Sequence, residues 1–343
     1  MRSRKTEILW LLVGLLLLAG LVPAVYRHDW PAALAALRHA LASPGWLLAA
    51  LALFFAALCT SLLKWHTMSR RVGAGLSWRQ SLRLFGTLYL VGTFTPGRAG
   101  ELLVPVLMRG GGRLTGVALT NRLLESSWTV FVGTVVVLFL FAGSAGSARL
   151  WLLAPVLLFF ILATVILSRR RFTKALFRLG RACLRPFARF GPVARLLALD
   201  EKYAAALDPF YEANERLLRP APILVFSLLM LTIWVIMAAG NYFLILGSVP
   251  DPEGAKKVTF LVVLALITVN AVASFLSPIP GGVGLGQGFQ LVLLALLGYK
   301  KEDFGAFVLL ALLEFYAAVA LFYLAGRFLG RPLPEPPAPP SSS

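Results

Sequence analysis

The sequence predicts an all-α fold, a polytopic helical membrane protein of about eight spans, and three observations carry that expectation. Hydrophobic residues make up 59% of the 343 positions and mean hydropathy is +0.80, more apolar surface than a soluble domain of this length can hide. Those residues gather in runs such as 8–21, 46–63 and 223–246, near or above the ~20 residues a helix needs to cross a bilayer core. The Lys and Arg behind the net charge of +18 sit in blocks beside the runs, so the matching partner is a membrane surface and not nucleic acid.

The first run, 7–26, follows Arg2, Arg4 and Lys5 as a signal peptide would, but it is long and no small-residue cleavage pattern follows it, so it reads as a retained span. The second covers 45–67 and carries Lys64 near its end, where a long stem lets the ammonium snorkel to the headgroup level. The next run, 78–108, is broken by Pro96, Gly97 and Gly100 and followed by Pro105. It reads as two half-helices of a re-entrant segment near 80–108. Non-helical backbone at that depth needs protein or a wet cavity to satisfy it, so the segment should be buried and should line something.

Spans at 117–142 and 149–168 come next, then a basic cytoplasmic stretch, 169–222. Within it Arg171, Lys174, Arg178, Arg181 and Arg185 recur at steps of three and four, which aligns them on one helical face for anionic headgroups. A solvated basic loop is the competing reading of the same residues. Spans at 223–247, 257–277, 282–298 and 304–328 follow, the seventh being short, with a second re-entrant segment near 278–298. The chain to 331 is then a single transmembrane domain, and the tail, 332–343, is a disordered Pro/Ser segment. Basic blocks before the first span, after the second and after the fourth place both termini on the cytoplasmic side of the cytoplasmic (inner) membrane, although Lys256, Lys257, Lys300 and Lys301 run against that pattern.

Chemistry concentrates at the two breaks. Thr95-Pro96-Gly97-Arg98-Ala99-Gly100-Glu101 sets an Arg and a Glu in an apolar context, where ionisable groups pair or face a polar cavity. A half-helix starting there offers N–H groups and a positive dipole end to an anion beside Arg98. Pro278-Ile279-Pro280-Gly281-Gly282-Val283-Gly284-Leu285-Gly286-Gln287 repeats the grammar, with Gln287 where the first motif has Glu101. Paired broken segments in two halves of a chain point to a substrate site near the membrane midplane and to an internal, inverted repeat. Tight helix crossings through small residues would produce the same glycines. Arg122 and Glu125 at i,i+3 read first as a plain pair, and Asn241, Asn270 and Glu314 are further polar groups at membrane depth. Glu314 has no near-sequence partner, so it is either protonated or neutralised by a distant Arg such as Arg98.

Two cysteines, Cys59 and Cys183, imply no disulfide framework, and His28, His39 and His66 show no metal spacing; no metal or cofactor is expected.

These motifs resemble the flippase-like transmembrane family typified by the membrane region of lysylphosphatidylglycerol synthase, the multiple peptide resistance factor. The resemblance runs from about 46 to 329 and rests on Leu63-Lys64-Trp65, the segment from Thr95 to Leu103, Asn121-Arg122-Leu123-Leu124-Glu125, and Pro280-Gly281-Gly282-Val283-Gly284. Three departures change the charge of the implied cavity. Gln287 stands where the family often has an acid, Glu314 where an Arg is common, and Asn121 to Glu125 where the family has Glu-Arg-x-x-Asp.

The resemblance implies translocation of a phospholipid or polyprenyl-phosphate-linked lipid, with membrane lipids, anionic or polyprenyl-phosphate, as partners. The headgroup site would comprise Gly97, Arg98, Gly100, Glu101, Arg122, Glu125, Gly281, Gly282, Gln287 and Glu314. No nucleotide-binding motif accompanies them. The alternatives are an aminoacyl-lipid transferase, for which no soluble transfer domain follows the spans, a polytopic glycosyltransferase, for which the outward connections offer few acids beyond Asp251 and Glu253, and a non-transporting accessory subunit. The expectation is therefore a transporter, not an enzyme.

Overall fold

A computed structural model of the chain describes residues 31, 35, 38–39, 41–42, 44–93, 95, 101, 111–141, 171, 175, 211–249, 257–276, 285–299 and 301–331. Among these the chain is mostly helical and forms no strand. The expected spans 7–26 and 149–168, the tail 332–343 and most of 169–222 lie outside the described residues.

Helix α1, Pro44–Arg71, ends in a Schellman turn: Gly73 takes φ +70°, its N–H reaches Arg70 O, and the Ala74 N–H reaches Ser69 O. Helix α2, Trp78–Thr93, opens on a capping box in which Ser77 and Gln80 exchange side-chain and backbone hydrogen bonds of 2.9 and 3.3 Å. His66 fastens the two helices through Ser81 Oγ at 2.8 Å and an edge contact with Trp78.

Helix α3, Gly111–Phe141, begins before the apolar run does, because hydropathy marks the hydrocarbon thickness and not the helix end. Its extra N-terminal turn extends to the end of the bundle where α1 stops, and there Arg113 meets Gly73 O at 3.2 Å and Glu212 at 3.9 Å. The helical stretch 211–217 packs there too, with Asn214 bonded to Thr120. Helix α4, Pro220–Ser248, starts with a proline in its first turn, where the missing N–H costs nothing. Leu224, Leu228, Leu231 and Val235 form an exposed apolar stripe along it, the face expected to meet lipid.

Helices α5, Phe260–Leu276, and α6, Leu285–Leu296, are short. At 1.5 Å per residue they rise only about 25 and 18 Å, less than a ~30 Å hydrocarbon core. Helix α7, Lys301–Leu329, completes the described bundle. Among the described residues four helices are thus long and apolar enough to cross a membrane, within Pro44–Arg71, Arg113–Leu140, Pro220–Ser248 and Phe304–Leu329, while α2, α5 and α6 as described are shorter than that.

The short helices enter from opposite ends. The start of α2 sits against the end of α7, where the Arg331 N–H bonds Arg79 O. The start of α5 lies at the other end, because Tyr299, just before α7, donates to Lys257 O at 3.1 Å. As described, α2 ends at Thr93 and α5 at Leu276, each next to one of the two Pro/Gly breaks.

Close crossings hold α2 against α7. A Cβ on Gly326 would lie 2.9 Å from Leu82 O, and one on Gly86 would lie 3.3 Å from Tyr323 Cα. Gly326→Val should force the helices apart and destabilise the protein by about 1–3 kcal/mol, whereas Gly288→Val, which meets open space, should not. Unfolding of the two variants in detergent, compared with wild type, checks the difference.

Candidate functional site

The charged residues of α1 and α3 meet inside the bundle. Lys64 is buried, its side chain 1% exposed, with Nζ 3.4 Å from Glu125 Oε1 and 2.7 Å from Met230 Sδ on α4. The position is therefore not one from which the ammonium snorkels, as the sequence reading had it. The helix continues two turns past Lys64 to Arg71, so the residue lies well inside the span, under α3 and α4.

Glu125 is the shared anion of this cluster. Asn121 Nδ2 donates to its Oε1 at 2.9 Å beside Lys64, and Arg122 Nη1 lies 3.5 Å from its Oε2. The same Arg122 atom is 4.0 Å from Glu101 Oε2. The expected i,i+3 pair of Arg122 and Glu125 thus forms, but as the middle of a four-residue network. Two cations and two carboxylates balance formally, which is the condition for keeping charges at this depth.

Glu101 arrives there because α2 makes room for it. A Cβ on Gly92 would overlap the Glu101 side chain. Nine residues of straight helix rise about 13.5 Å, beyond the reach of a Glu side chain, so Glu101 does not continue the line of α2. A similar accommodation occurs at the second break, where a Cβ on Gly286 would overlap Asn270 Oδ1. Glycine is needed at both places for close approach.

Between these two accommodations lies a cavity of about 180 Å³. One wall is ionic, from Arg122 and Glu125 with Thr93 and Tyr89 at the end of α2. The lining also carries carboxamides, Asn241 of α4, Asn270 of α5, and Gln287 and Gln290 of α6, set among apolar and aromatic side chains such as Ile233, Trp234, Leu312 and Phe315. Residues 220–248, 260–276 and 285–296 contain no Asp, Glu, Lys or Arg, so what α4, α5 and α6 contribute is uncharged. Asn241 Nδ2 donates to Met237 O at 2.8 Å and Gln290 Nε2 to Leu266 O at 3.1 Å. Because a backbone carbonyl only accepts, these bonds fix the amide orientation and leave each side-chain oxygen as an acceptor. The volume is below the 300 Å³ or more of a drug-sized pocket, and suits a polar headgroup or a cluster of waters but not acyl chains.

Of the residues expected at a headgroup site, Arg122, Glu125 and Gln287 line this cavity. Glu101 sits behind them, facing a void of about 10 Å³ shared with Asn121 and Glu125, the room of a single water. Glu314 is buried on α7 but is not part of the lining; its neighbours Phe315 and Tyr316 are. Its Oε2 has no hydrogen-bond partner among the described residues. Gly97, Arg98, Gly100, Gly281 and Gly282 lie outside the described residues, as do Lys174, Arg178, Arg181 and Arg185. Arg171 is helical and exposed.

Sequence reasoning missed Lys64 as a buried partner and missed Gln290 and Ser274 in the lining. Gln290 carried a signal, standing three residues after Gln287 on the same helical face. Lys64 carried one in the Leu63-Lys64-Trp65 match to the family, which marks the residue without saying where its side chain lies.

At the end where α1 stops and α2 starts, Arg70, Arg71, Arg79, Arg113, Arg216 and Arg219 are exposed. Contacts of Arg113 with Gly73 and Glu212, and of Arg331 with Arg79, bring these segments to one end of the bundle.

The comparisons agree with the residue pattern. The model of the family described as the lysylphosphatidylglycerol synthase TM region matches residues 8–322, and the chain belongs to that family. No curated protein and no solved structure matches it. The chain is a multi-pass membrane protein, and its family ties it to membrane lipids.

Proposed function

We propose that this member of the lysylphosphatidylglycerol synthase TM-region family translocates a lipid, a phospholipid or polyprenyl-phosphate-linked lipid, by passing its headgroup through the cavity between α2 and α6. The observation that carries the reading is a cavity lined by the Arg122–Glu125 pair and four carboxamides among largely apolar side chains, inside a helical bundle that two short helices enter from opposite ends. A phosphate entering the cavity meets Arg122, and the carboxamides hydrogen-bond the rest of the headgroup. The acyl or prenyl chains stay in the bilayer, since the cavity has no room for them. No covalent step is involved, and membrane lipids are the partners. The arginine-rich end is assigned to the cytoplasmic side of the inner membrane, where basic residues concentrate.

The test is leaflet exchange in vesicles. Purified protein reconstituted with trace fluorescent phosphatidylglycerol should expose inner-leaflet label to an impermeant quencher. One charge-assisted contact is worth about 1.5–3 kcal/mol, so Arg122→Gln should slow exchange about tenfold or more. Arg70→Gln, on the exposed end of α1, should leave the rate unchanged. Equal rates for wild type and Arg122→Gln would remove the mechanism, and formation of a new lipid product would favour a transferase.

A further inference from the structure

The uncharged polar groups of the cavity are alike in where their protons go. Thr93 Oγ1 donates to Tyr89 O and Thr129 Oγ1 to Glu125 O, each at 2.8 Å, and both residues are buried in the lining. A hydroxyl has a single proton, so with that proton on the helix backbone its oxygen can only accept. Asn241 and Gln290 are buried in the lining too, and their amide nitrogens are turned to Met237 O and Leu266 O. Four lining residues, one each from α2, α3, α4 and α6, therefore keep a side-chain oxygen as acceptor, and a ligand matched to them brings donors.

Aromatic side chains border the same cavity. Trp234 of α4 and Phe315 and Tyr316 of α7 are in the lining, and the last two rings meet at 74° with centroids 5.7 Å apart, forming a corner and not a stack. Rings beside hydrogen-bonding groups match a ligand that is apolar on one face and polar at its edge, as the C–H face and the hydroxyls of a ring polyol are. We infer that the cavity selects a lipid whose headgroup, beyond its phosphate, is an uncharged ring polyol, a sugar or a cyclitol. Its hydroxyls donate to Thr93, Thr129, Asn241 and Gln290, and its C–H face packs on Trp234, Phe315 and Tyr316. The inference rests on the translocation reading and names the substrate class of that site.

An ammonium headgroup would also bring donors, but it needs an anion. The carboxylate among the described lining residues is Glu125, and Lys64 and Arg122 already hold it at 3.4 and 3.5 Å. A further cation would stand in a largely apolar cavity beside the Arg122 guanidinium, where like charges repel. A linear diol, as in phosphatidylglycerol, brings fewer donors and has no ring face to pack.

The experiment compares leaflet exchange of three trace lipids by the full chain in vesicles: phosphatidylinositol, phosphatidylglycerol and phosphatidylethanolamine, each labelled on an acyl chain so that its headgroup is intact. Phosphatidylinositol should exchange about fivefold faster than phosphatidylglycerol, and phosphatidylethanolamine should be the slowest. Thr129→Val and Gln290→Leu, which each delete one acceptor, should each lower the ratio of phosphatidylinositol to phosphatidylglycerol exchange about threefold. The ratio is taken within one preparation, so a loss of folded protein does not move it. A merely structural role for these two residues would slow all three lipids by one factor and keep the wild-type ratio, and that result overturns the inference. Equal rates for phosphatidylinositol and phosphatidylglycerol in the wild type overturn it as well, and so does phosphatidylethanolamine as the fastest lipid, which would assign the cavity to a cation. If the wild type moves none of the three, the translocation reading itself fails, and that outcome is distinct from a loss of preference among lipids that do move.

Discussion

Replacing Glu125 with Leu should destabilise the protein more than any other single change in the ionic cluster. Glu125 is the anion common to Lys64 and Arg122, so its removal takes an ion-pair contact from each of the two cations at once. Breaking a buried ion pair from one side costs about 3–5 kcal/mol, because the remaining charge stays out of water. Lys64→Met should cost less, since Glu125 keeps Arg122 and Asn121. The double variant Lys64→Met/Glu125→Leu should recover part of the Glu125→Leu loss, because it removes both members of a contacting pair and Arg122 still has Glu101. Reversible unfolding of the three variants in detergent measures the order directly. A smaller loss for Glu125→Leu than for Lys64→Met would mean that Glu125 is not the centre of the cluster.

The helices were legible because their residues are apolar over lengths that only a membrane explains. Five of the expected spans have helices within four residues of the predicted bounds at both ends, as at Pro220–Ser248 against 223–247. The span expected at 117–142 misses by six residues at its start, because Gly111 to Gly116 is polar and small enough to escape hydropathy yet still helical. The short helices beside the breaks were legible for a different reason. Pro and Gly end helices locally, so the stop of α2 at Thr93 is written two residues ahead of Thr95-Pro96.

The site was legible only in part. Arg122, Glu125 and Gln287 stood out as polar groups in apolar runs, a pattern that depends on sequence alone. Lys64 was misread because burial is a property of neighbours. Three residues from the end of an expected span, a lysine stem reaches the surface; two turns from the true end, beneath Met230 and Glu125, it does not. Glu101, expected at the headgroup site, faces the smaller void beside the cavity and lies 4.0 Å from Arg122, a placement for which Gly92 makes room and which no pattern within the motif itself announces. The cores of both motifs, 96–100 and 277–284, lie outside the described residues.

The second large effect is expected from filling the cavity. Ala271 lies on α5 in the lining, between Asn270 and the end of the helix, and its methyl faces the void. An indole there occupies the space a headgroup needs and leaves the ionic cluster untouched. Because the side chain grows into a cavity and not into packed neighbours, overpacking strain should be small. Leu231→Trp, on the exposed stripe of α4, adds comparable bulk toward lipid and serves as the matched control.

The decisive measurement is leaflet exchange of fluorescent phosphatidylglycerol by Ala271→Trp, in vesicles where its folding matches wild type by unfolding temperature. Passage of the headgroup through this cavity predicts that exchange falls to the level of protein-free vesicles, while Leu231→Trp keeps the wild-type rate. Wild-type exchange by a folded Ala271→Trp protein would contradict the account, because the lipid would then be crossing by another route.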